Sequence, residues 1–403
     1  MESPKKNIVV IGAGYGGITA VLRLARLFRD HTGFQVHLVD RNPYHLLKTQ
    51  LHEAAVRKTE VAIPIDRLIG KRNITFHLAA VDRIDPDGRT VHLQDGFLLF
   101  DFLILALGSQ TNFYGIPGLH EHAFTLETLT DAQHIHGHIN RLCAQASTES
   151  DETQRRNLLR FVIGGGGLSG VEFAAEFAEH AVHCTRNYHV NQDEVEIILI
   201  EAGSRIMPNL GESISSSVLK KLQEKKVKVM TETKIVSQTA STVILSAGEV
   251  LETSTLVWTG GIHITDLFRE SGLQIGKLGR IVVDEFLRVE SYPFIYAIGD
   301  NALAMNPRTR NPVPTAAQFA LQQGRLVAEN VHAATVGGEM KPYSPKVWGE
   351  VVSLGRHLAA GWLALPFLKK ITFVGFLGSL VKAAIEGKHI LLLRKESRNW
   401  TGR

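Results

Sequence analysis

Residues 8–17 read IVVIGAGYGG, a β-branched apolar run followed by closely spaced glycines and then a helical pattern. The same arrangement returns in residues 161–172, FVIGGGGLSGVE, with the corresponding glycine 153 residues later. In such a strand–turn–helix unit the first glycine turns the chain, the second lets the backbone approach a pyrophosphate, and the third lets the helix pack on the strand. These glycines are Gly12, Gly14 and Gly17 in the first copy and Gly165, Gly167 and Gly170 in the second. Two copies predict two dinucleotide sites in one α/β chain.

An acidic residue ends the next apolar strand after each glycine-rich loop. The first is Asp40, 23 residues after Gly17, and the second is Glu201, 31 residues after Gly170. A carboxylate in this position hydrogen-bonds the ribose hydroxyls of a dinucleotide. Because the second spacing exceeds the usual ~20 residues, we expect a longer crossover that runs through residues 179–191.

Two further segments distinguish the two sites. Residues 292–300, YPFIYAIGD, form a short apolar strand that ends in Gly-Asp, and residues 102–109, FLILALGS, form another that ends in Gly-Ser. They resemble the second FAD signature and the linker motif of two-dinucleotide-fold flavoproteins, in which the aspartate contacts FAD. The resemblance assigns FAD to the first site, with Asp300 and Gly108 among its contacts, and a nicotinamide nucleotide to the second.

The predicted fold class is therefore α/β, with two Rossmann-like dinucleotide-binding domains and a C-terminal membrane-associating segment. Since the second FAD signature comes late in the chain, the FAD-binding domain is expected to be discontinuous, with the nicotinamide domain inserted in it. The expected boundaries are residues 1–115 and 280–335 for the FAD-binding domain, 116–279 for the NADH-binding domain and 336–403 for the C-terminal region.

Composition agrees with a globular protein of two to three domains. The 403 residues are 44% apolar and 21% charged, which excludes a disordered chain. The basic N-terminus runs straight into the first strand, so no secretory leader is expected. The polar stretch 147–157 predicts an exposed loop. His134, His136 and His138 alternate within a helical pattern that scatters them around its surface, so no metal is expected, and neither is a nucleic-acid partner.

The cysteine content narrows the class of flavoprotein. The sequence has two cysteines, Cys143 and Cys184, which are 41 residues apart. No CxxC or CxxxxC pair is therefore present to pass electrons from a flavin to a disulfide. The same scarcity argues against sulfide oxidation through cysteine persulfides, and both thiols are expected to be packing residues. Reduced flavin must then hand its electrons directly to a diffusing acceptor.

Residues 317–322, AQFALQ, fit the AQxAxQ pattern on the quinone-site helix of type II NADH:quinone oxidoreductases. Together with the motifs above, they make the chain resemble this single-subunit, non-proton-pumping family of respiratory enzymes over nearly its whole length. Gln318 and Gln322 are four residues apart and so share one face of a helix. The resemblance implies non-covalent FAD, NADH as substrate and menaquinone or ubiquinone as acceptor, with both amides directed at a quinone carbonyl.

The resemblance also assigns roles to single residues. Thr49, in the stretch YHLLKTQLHE at residues 44–53, is expected to contact FAD, and Gly260, in the WTGG turn at 258–261, is expected near the nicotinamide. The residues carried over as catalytic are Glu172, Gln318, Gln322 and Lys382. The further cofactor contacts that the resemblance implies are Val81, Ala317, Gln318 and Glu172.

The C-terminal region predicts contact with a membrane surface. Residues 371–381, ITFVGFLGSLV, form an apolar run of 11 residues, which is too short to span a bilayer. Residues 366–403 include eight basic and two acidic side chains, an excess greater than the net charge of +4 of the whole chain. This pattern predicts an interfacial helix on anionic lipid, and hence a peripheral protein on the cytoplasmic face of the cell membrane. The alternatives are a core helix with solvated lysines or a contact within a homodimer.

Two other functions fit the same fold. A flavin-dependent reductase of a small iron–sulfur or rubredoxin-like electron carrier would need a basic patch for an acidic partner and no lipid-binding tail, and the AQxAxQ match counts against it. A non-catalytic flavoprotein would instead sense dinucleotides and change its binding to a partner. Fast NADH turnover with a soluble quinone would distinguish the quinone-reducing enzyme from both.

Overall fold

A computed structural model of the chain describes residues 5–57, 59–364 and 370–398. Its α-helices, in chain order, are α1 Tyr15–Leu27, α2 Leu51–Arg57, α3 Ile65–Ile69, α4 Leu119–His122, α5 Leu129–Ala146, α6 Glu152–Leu158, α7 Leu168–Tyr188, α8 Glu212–Glu224, α9 Leu267–Glu270, α10 Ala317–Val336 and α11 Phe376–Arg398. Its strands are β1 Lys6–Ile11, β2 Phe34–Asp40, β3 Tyr44–Leu46, β4 Ala62–Pro64, β5 Ile74–Leu78, β6 Val81–Asp85, β7 Thr90–Leu93, β8 Gly96–Leu99, β9 Phe102–Leu105, β10 Gln110–Thr111, β11 Phe124–Thr125, β12 Arg160–Gly164, β13 Glu196–Ile200, β14 Val227–Met230, β15 Ile235–Gln238, β16 Thr242–Leu245, β17 Val250–Glu252, β18 Thr255–Trp258, β19 Ile262–His263, β20 Ile281–Val282, β21 Arg288–Val289, β22 Tyr292–Ala297, β23 Ala302–Leu303, β24 Gly349–Ser353, β25 Ala359–Leu363 and β26 Ile371–Gly375.

The first large sheet has the strand order β21–β22–β9–β1–β2–β5. Its neighbouring strands are parallel, apart from the antiparallel pair of β21 and β22. Four consecutive residues of β1, from 8 to 11, are fully buried, as expected of a parallel strand that is covered on both faces. Helices α1 and α10 lie so close together that a Cβ on Gly324 would collide with the carbonyl oxygen of Gly16. The N-terminal third of the chain and residues 288–297 therefore build one sheet.

The second large sheet has the order β11–β18–β12–β13–β14, and all of its strand pairs are parallel. Its strands all come from residues 124–258, which lie in the chain between β9 and β22 of the first sheet. Two parallel sheets with helical crossovers confirm the predicted α/β fold with two Rossmann-like units, the second inserted into the first.

The connections around the second glycine-rich loop confirm one prediction and correct another. Helix α7 is 21 residues long and is followed by a 3-10 turn at Gln192–Glu194 before β13 begins, so the longer crossover is confirmed. The prediction of a loop over residues 147–157 is wrong for its second half, because α6 begins there. The carboxylate of Asp151 accepts the N–H of Gln154, and aspartate is a favoured residue at a helix N-cap.

The C-terminal region consists of an antiparallel sheet, β24–β25–β26, and the helix α11 that packs on it. The prediction of a helix over residues 371–381 is wrong for its first five residues, which form β26 paired with β25. The β-branched residues in ITFVG favour a strand, and Gly375, with φ of +121°, ends it outside the helical range. Among the residues that the structure describes, no helix is both long and apolar enough to cross a membrane.

Candidate functional site

Both glycine-rich loops open into one large cleft of about 2230 Å³. The cleft lies at the carboxyl ends of the parallel strands, where open α/β sheets bind their ligands. Its walls include the two loops, the Gly-Asp pair at 299–300, the beginning of α10 and one side of α11. All the site residues selected from the sequence line this cleft, with the exceptions of Gly17 and Gly170.

The two glycine-rich loops have the same turn geometry. Gly12 and Gly165 turn the chain with φ of +99° and +107°, in the left-handed region that favours glycine. A Cβ on Gly17 would collide with the carbonyl oxygen of Gly12, and a Cβ on Gly170 would collide with that of Gly165. The third glycine of each loop therefore allows the helix to lie directly on the turn, which explains why these two residues are the ones that do not face the cleft.

The middle glycine of each loop borders open space. No atom lies within 4 Å of the position that a Cβ would take on Gly14 or Gly167, and both residues line the cleft. Each of them is also the N-cap of the helix that follows, α1 or α7. A diphosphate can therefore approach the backbone N–H groups at both helix N-termini, where the partial positive charge of the helix favours an anion.

The two strand-end carboxylates are held in the same way. Asp40 accepts the N–H of Ala13 at 2.6 Å and, through its other oxygen, the N–H two residues after itself at 2.8 Å. Glu201 accepts the N–H of Gly166 at 2.7 Å and the N–H two residues after itself at 2.6 Å. Each carboxylate therefore joins its glycine-rich loop to its strand end. Because a carboxylate oxygen has two lone pairs, each can still accept from a ribose hydroxyl.

Polar contacts join the Gly-Asp segment to the end of β9. Asp300 accepts the hydroxyl of Ser109 at 2.7 Å. Asn301, which is fully buried, accepts the N–H of Gly108 at 3.2 Å and donates to its carbonyl oxygen. Gln323 on α10 accepts the N–H of the glycine that precedes the aspartate, at 2.6 Å. This serine, asparagine and glutamine were not predicted as site residues, and the available signal was the position of the first two beside the Gly-Ser and Gly-Asp motifs.

The WTGG turn closes the second glycine-rich loop from the other side. The hydroxyl of Thr259 donates to the carbonyl oxygens of Gly164 and Gly165 at 3.0 Å and 3.1 Å. The Cα of Gly260 lies 2.8 Å from the position that a Cβ on Gly165 would take. Gly165 therefore has no room for a side chain against the turn, and Gly260 exposes backbone to the cleft.

Gln318 and Gln322 lie one turn apart on α10, and their amides bind the backbone of the segment before β24. Gln318 donates to the carbonyl oxygen of Gly349 at 3.0 Å and accepts the N–H of Trp348 at 3.2 Å. Gln322 donates to the carbonyl oxygen of Lys346 at 2.8 Å and accepts its N–H at 2.9 Å. Both glutamines border the cleft, but their amides hold this segment. The sequence did not predict the contact, because residues 346–349 carry no motif.

Thr49 and Val81 lie on the side of the cleft formed by the first sheet. The hydroxyl of Thr49 is 2.8 Å from that of Tyr15, the residue after the open glycine of the first loop. Burial raises the pKa of Tyr15, so its hydroxyl stays protonated and can donate a hydrogen bond. Val81 begins β6 and lines the cleft near the carboxyl end of β2.

Glu172 and Lys382 belong to an ionic cluster in the wall of the cleft. Glu172 accepts the N–H of Ser353 at 2.9 Å, and burial raises its pKa to about 7, against the opposing effect of Lys382. Lys382 donates to Glu53 at 3.0 Å and lies 3.4 Å from Glu386. Burial alone would lower the pKa of Lys382, but the three carboxylates outweigh it and raise this pKa. The lysine is therefore charged, and Glu172 is protonated part of the time near neutral pH.

A pair of histidines joins α11 to the first glycine-rich loop. The Nδ1 atom of His45 is 2.7 Å from the carbonyl oxygen of Ala13, and its Nε2 atom is 3.5 Å from that of His389. Burial lowers the pKa of each histidine to about 4, so both rings are neutral near neutral pH. Neither residue could be predicted from the sequence, since no motif marks them.

The sequence predicts that both cysteines are packing residues and that the alternating histidines of α5 hold no metal. Cys143 is buried among apolar side chains of α5 and the second sheet, whereas the side chain of Cys184 lies outside the described residues. Two of the alternating histidines of α5 have separate partners, since His136 is 3.1 Å from a carbonyl oxygen of α2 and His138 is 2.8 Å from the hydroxyl of Thr255. In the part of the chain that the structure describes, no three His, Cys, Asp or Glu side chains form a metal-binding group.

The class of protein follows from this fold and from a family comparison. The family model described as pyridine nucleotide-disulphide oxidoreductase matches residues 6–324, and the chain belongs to this family. Among curated proteins, the type II NADH:quinone oxidoreductase of Staphylococcus aureus is 31% identical over 369 residues, which cover 90% of each chain. The resemblance inferred from the motifs is thereby confirmed, as is the prediction that the chain is an oxidoreductase.

Solved structures show the same fold at lower sequence identity. NDH2 from Plasmodium falciparum in complex with NADH superposes with a TM-score of 0.86 at 19% identity, over 99% of both chains. The sulfide:quinone oxidoreductase from Aquifex aeolicus superposes with a TM-score of 0.78 at 20% identity, over 97% of this chain and 92% of that one. At these identities the likeness establishes the fold, with both Rossmann-like units and the C-terminal region included in the superposed length.

Proposed function

We propose that this chain oxidises NADH through a bound FAD and passes the electrons to a membrane quinone without pumping protons. The observation that carries the proposal is the single cleft onto which both glycine-rich loops open, each with its own strand-end carboxylate. When bound, FAD would accept a hydride from NADH and deliver two electrons to the quinone. The chain's own residues bind and orient the two dinucleotides and exclude water, and hydride transfer needs no acid or base from the protein.

The contacts of Asp300 support FAD, held non-covalently, at the first loop. Asp40 would accept from a ribose, the N–H groups after Gly14 would bind the diphosphate, and Asp300 beside Ser109 would contact the ribityl chain and pyrophosphate. Thr49, Val81, Gly108 and Ala317 border the same part of the cleft. On this proposal the FAD-binding domain comprises residues 1–115 and 280–335.

NADH is proposed to bind at the second loop, in a domain of residues 116–279. Glu201 would accept from the ribose hydroxyls of NADH, and the N–H groups after Gly167 would bind its diphosphate. Gly260 presents backbone to the cleft beside the second loop, which suits the approach of a flat nicotinamide ring.

The quinone is proposed to bind where Glu172 of α7, Gln318 of α10 and Lys382 of α11 border the cleft. Glu172, whose pKa is raised to about 7 by burial, can donate a proton near neutral pH. Gln318 and Gln322 hold the backbone beside Trp348, whose side chain is half exposed. We therefore assign the glutamines to the acceptor side of the cleft, where they order a segment of its wall.

A membrane surface is proposed to supply the quinone. Helix α11 begins with large apolar side chains that are well exposed, namely Phe376, Leu377 and Leu380, with Leu377 73% exposed. Isolated apolar residues are normal on a protein surface, but a contiguous group of this kind marks an interaction site. Together with the basic excess of residues 366–403, the patch suits anionic lipid on the cytoplasmic face of the cell membrane. A homodimer contact is the alternative use of the same patch.

The acceptor is tested by steady-state NADH oxidation with menadione, a ubiquinone analogue and a small iron–sulfur carrier protein. Fast turnover with the quinones and slow turnover with the carrier are expected. A higher catalytic efficiency with the carrier would favour the carrier reductase. Binding of both dinucleotides without turnover on any acceptor would favour the sensing flavoprotein.

The membrane surface is tested with a single charge in the apolar patch. Leu377→Glu should weaken co-sedimentation with vesicles that contain anionic lipid, since the substitution places a negative charge at the lipid surface. Leu99→Glu is the matched control, because Leu99 is 55% exposed on the distant strand β8. If Leu377→Glu instead converts a dimer into a monomer and leaves vesicle binding unchanged, the patch is a subunit contact.

A further inference from the structure

A largely buried group of ionisable side chains lies partly in the wall of the cleft and partly behind it, at the contact of α2, α7 and α11. Four carboxylates, two cations and one histidine contribute to it. These residues are Glu53, Glu172, Glu176, Glu386, Arg57, Lys382 and His52. The carboxylates outnumber the cations, so the group can retain protons that isolated surface carboxylates would release.

His52 lies between two of these carboxylates. Its side chain is 3% exposed, with Nδ1 at 3.7 Å from Glu172 and Nε2 at 3.8 Å from Glu53. Both gaps are about 1 Å longer than a hydrogen bond, so small side-chain rotations can close either of them. Within the described part of the chain, Nε2 of His52 is buried without a hydrogen-bond partner. A buried polar atom in this state calls for an explanation.

The two carboxylates next to His52 face different environments. Glu172 lines the cleft, whereas His52, Glu53 and Arg57 are not among the described residues that line it. The side chains of Glu53 and Arg57 are nevertheless 15% and 23% exposed, so they reach solvent by a route other than the cleft. His52 therefore separates a carboxylate in the cleft from one that is open to the outside of the protein.

The protonation states of the group suit proton transfer. Burial raises the pKa of both Glu172 and Glu176 to about 7, so each can bind and release a proton near neutral pH. Burial, together with the charges of Lys382 and Arg57, holds the pKa of His52 well below its usual range. The ring is therefore neutral at rest, with one nitrogen able to accept a proton while the other donates one.

We propose that His52 relays a proton from Glu53 to Glu172, and so supplies from outside the cleft the proton that quinone reduction consumes. The relay rests on the proposed function, in which NADH, one proton and a quinone give NAD+ and a quinol. In each turnover Nε2 of His52 takes a proton that Glu53 received from solvent, and Nδ1 gives its own proton to the carboxylate of Glu172. The ring then turns over, so that its protonated nitrogen faces Glu172 and its unprotonated nitrogen faces Glu53 before the next proton arrives.

Neighbouring groups hold Glu53 and Glu172, the two ends of this relay, in place. Arg57 lies 3.1 Å from one oxygen of Glu53, and Lys382 lies 3.0 Å from the other. These ion pairs fix the orientation of Glu53 toward His52. Glu172 is fixed in turn by the N–H of Ser353.

The test compares an acceptor that takes up a proton with one that does not. His52→Gln preserves the size and polarity of the side chain but cannot relay a proton. It should slow menadione reduction about tenfold or more, while ferricyanide reduction, which consumes no proton, should stay within about twofold of the wild type. His138→Gln is the matched control for replacing a buried histidine, and Glu179→Gln is the control for a carboxylate farther along α7. Both controls should leave the ratio of the two rates unchanged.

Two measurements distinguish a relay from a structural role of His52. In a single turnover followed with a pH-indicator dye, proton uptake should lag behind NADH oxidation in His52→Gln and keep pace with it in the wild type. Added imidazole should restore menadione reduction in His52→Ala by replacing the missing ring. Equal slowing of menadione and ferricyanide, or a wild-type menadione rate in His52→Gln, would overturn the relay alone. A wild-type chain that reduces ferricyanide but no quinone would overturn the relay together with the proposed function.

Discussion

The hydroxyl of Ser109 donates a hydrogen bond of 2.7 Å to Asp300, although 191 residues separate the two in the sequence. Ser109 follows β9, Asp300 follows β22, and these strands are parallel neighbours in the first sheet. The bond therefore fixes the place where two strand ends meet beside the first glycine-rich loop. Asp300 borders the cleft and retains lone pairs that can accept from a ligand hydroxyl.

We expect the purified protein to be yellow, with FAD that denaturation releases, and Asp300→Ala to bind FAD about ten- to a hundredfold more weakly. The loss corresponds to about 1.5–3 kcal/mol for a hydrogen bond to a charged group. Ser109→Ala should have a smaller effect, because it removes only the residue that orients the aspartate. The amount of FAD that each dialysed protein retains is measured by absorbance. It should be highest in the wild type, lower in Ser109→Ala and lowest in Asp300→Ala. A wild type that is colourless, contains FMN or holds its flavin covalently would contradict the assignment.

Glu201 should make the enzyme prefer NADH to NADPH by about a hundredfold or more in kcat/KM, because the extra phosphate of NADPH would face a like charge. Arg205 is the nearby cation that could pair with the phosphate of NADPH, but its guanidinium donates to the carbonyl oxygens of Leu210 and Pro208 at 3.0 Å and 2.7 Å. We therefore expect Glu201→Gln to narrow the preference and Arg205→Ala to leave it nearly unchanged. Equal kcat/KM for both nucleotides in the wild type would show that the carboxylate does not select the nucleotide.

The glycine-rich loops and the strand-end carboxylates could be predicted from the sequence because each is encoded in a short stretch. The turn at Gly12, the open backbone at Gly14 and the strand-end carboxylate of Asp40 depend on local geometry that few residue types satisfy. The second loop repeats these requirements, so the same pattern located it. The AQxAxQ pattern likewise placed Gln318 on a helix that borders the cleft.

Other parts of the site depend on contacts between distant segments, and no local pattern encodes them. His389 meets His45 across 344 residues of sequence, and Gln318 meets Gly349 only because α10 and β24 pack together. The apolar run 371–381 is predicted from its hydrophobicity as one helix, but hydrophobicity alone suits a strand equally well. The first five residues form a strand because they pair with β25. This pairing is a tertiary contact, which the strand propensity of single residues does not predict.

Gln318→Ala should impair the quinone step and spare the reaction with NADH. The substitution removes the bonds to Trp348 and Gly349, at about 1 kcal/mol for each bond, and thereby loosens the wall on the acceptor side. The expected loss in kcat/KM for quinone is about five- to thirtyfold, whereas rapid mixing with NADH alone should bleach the flavin at close to the wild-type rate. Gln322→Ala should also impair the quinone step, because it removes the two bonds to the backbone of Lys346. Slower bleaching by NADH together with normal quinone reduction would place this helix on the nicotinamide side.

The contact of His389 with His45 should make the attachment of α11 sensitive to acid. Burial lowers the pKa of His389 from 6.5 to about 4, so its contribution to stability is complete above pH 6.5 and is lost as the pH falls toward 4. Between pH 6.5 and 5 the loss is about 2 kcal/mol for this one histidine. The raised pKa of Glu172 acts with the opposite sign, because stability from that group falls as the pH rises from 4.5 to about 7.

The effect of His389 is therefore isolated by comparing the wild type with a variant at each pH. Urea unfolding should show that the difference in free energy of unfolding between the wild type and His389→Gln shrinks by about 2 kcal/mol from pH 7.5 to pH 5, since only the wild type must protonate this ring. His134→Gln is the control, because His134 is exposed on α5 and its replacement should leave the pH dependence unchanged. A difference between wild type and His389→Gln that stays constant with pH would show that His389 is not held neutral against His45.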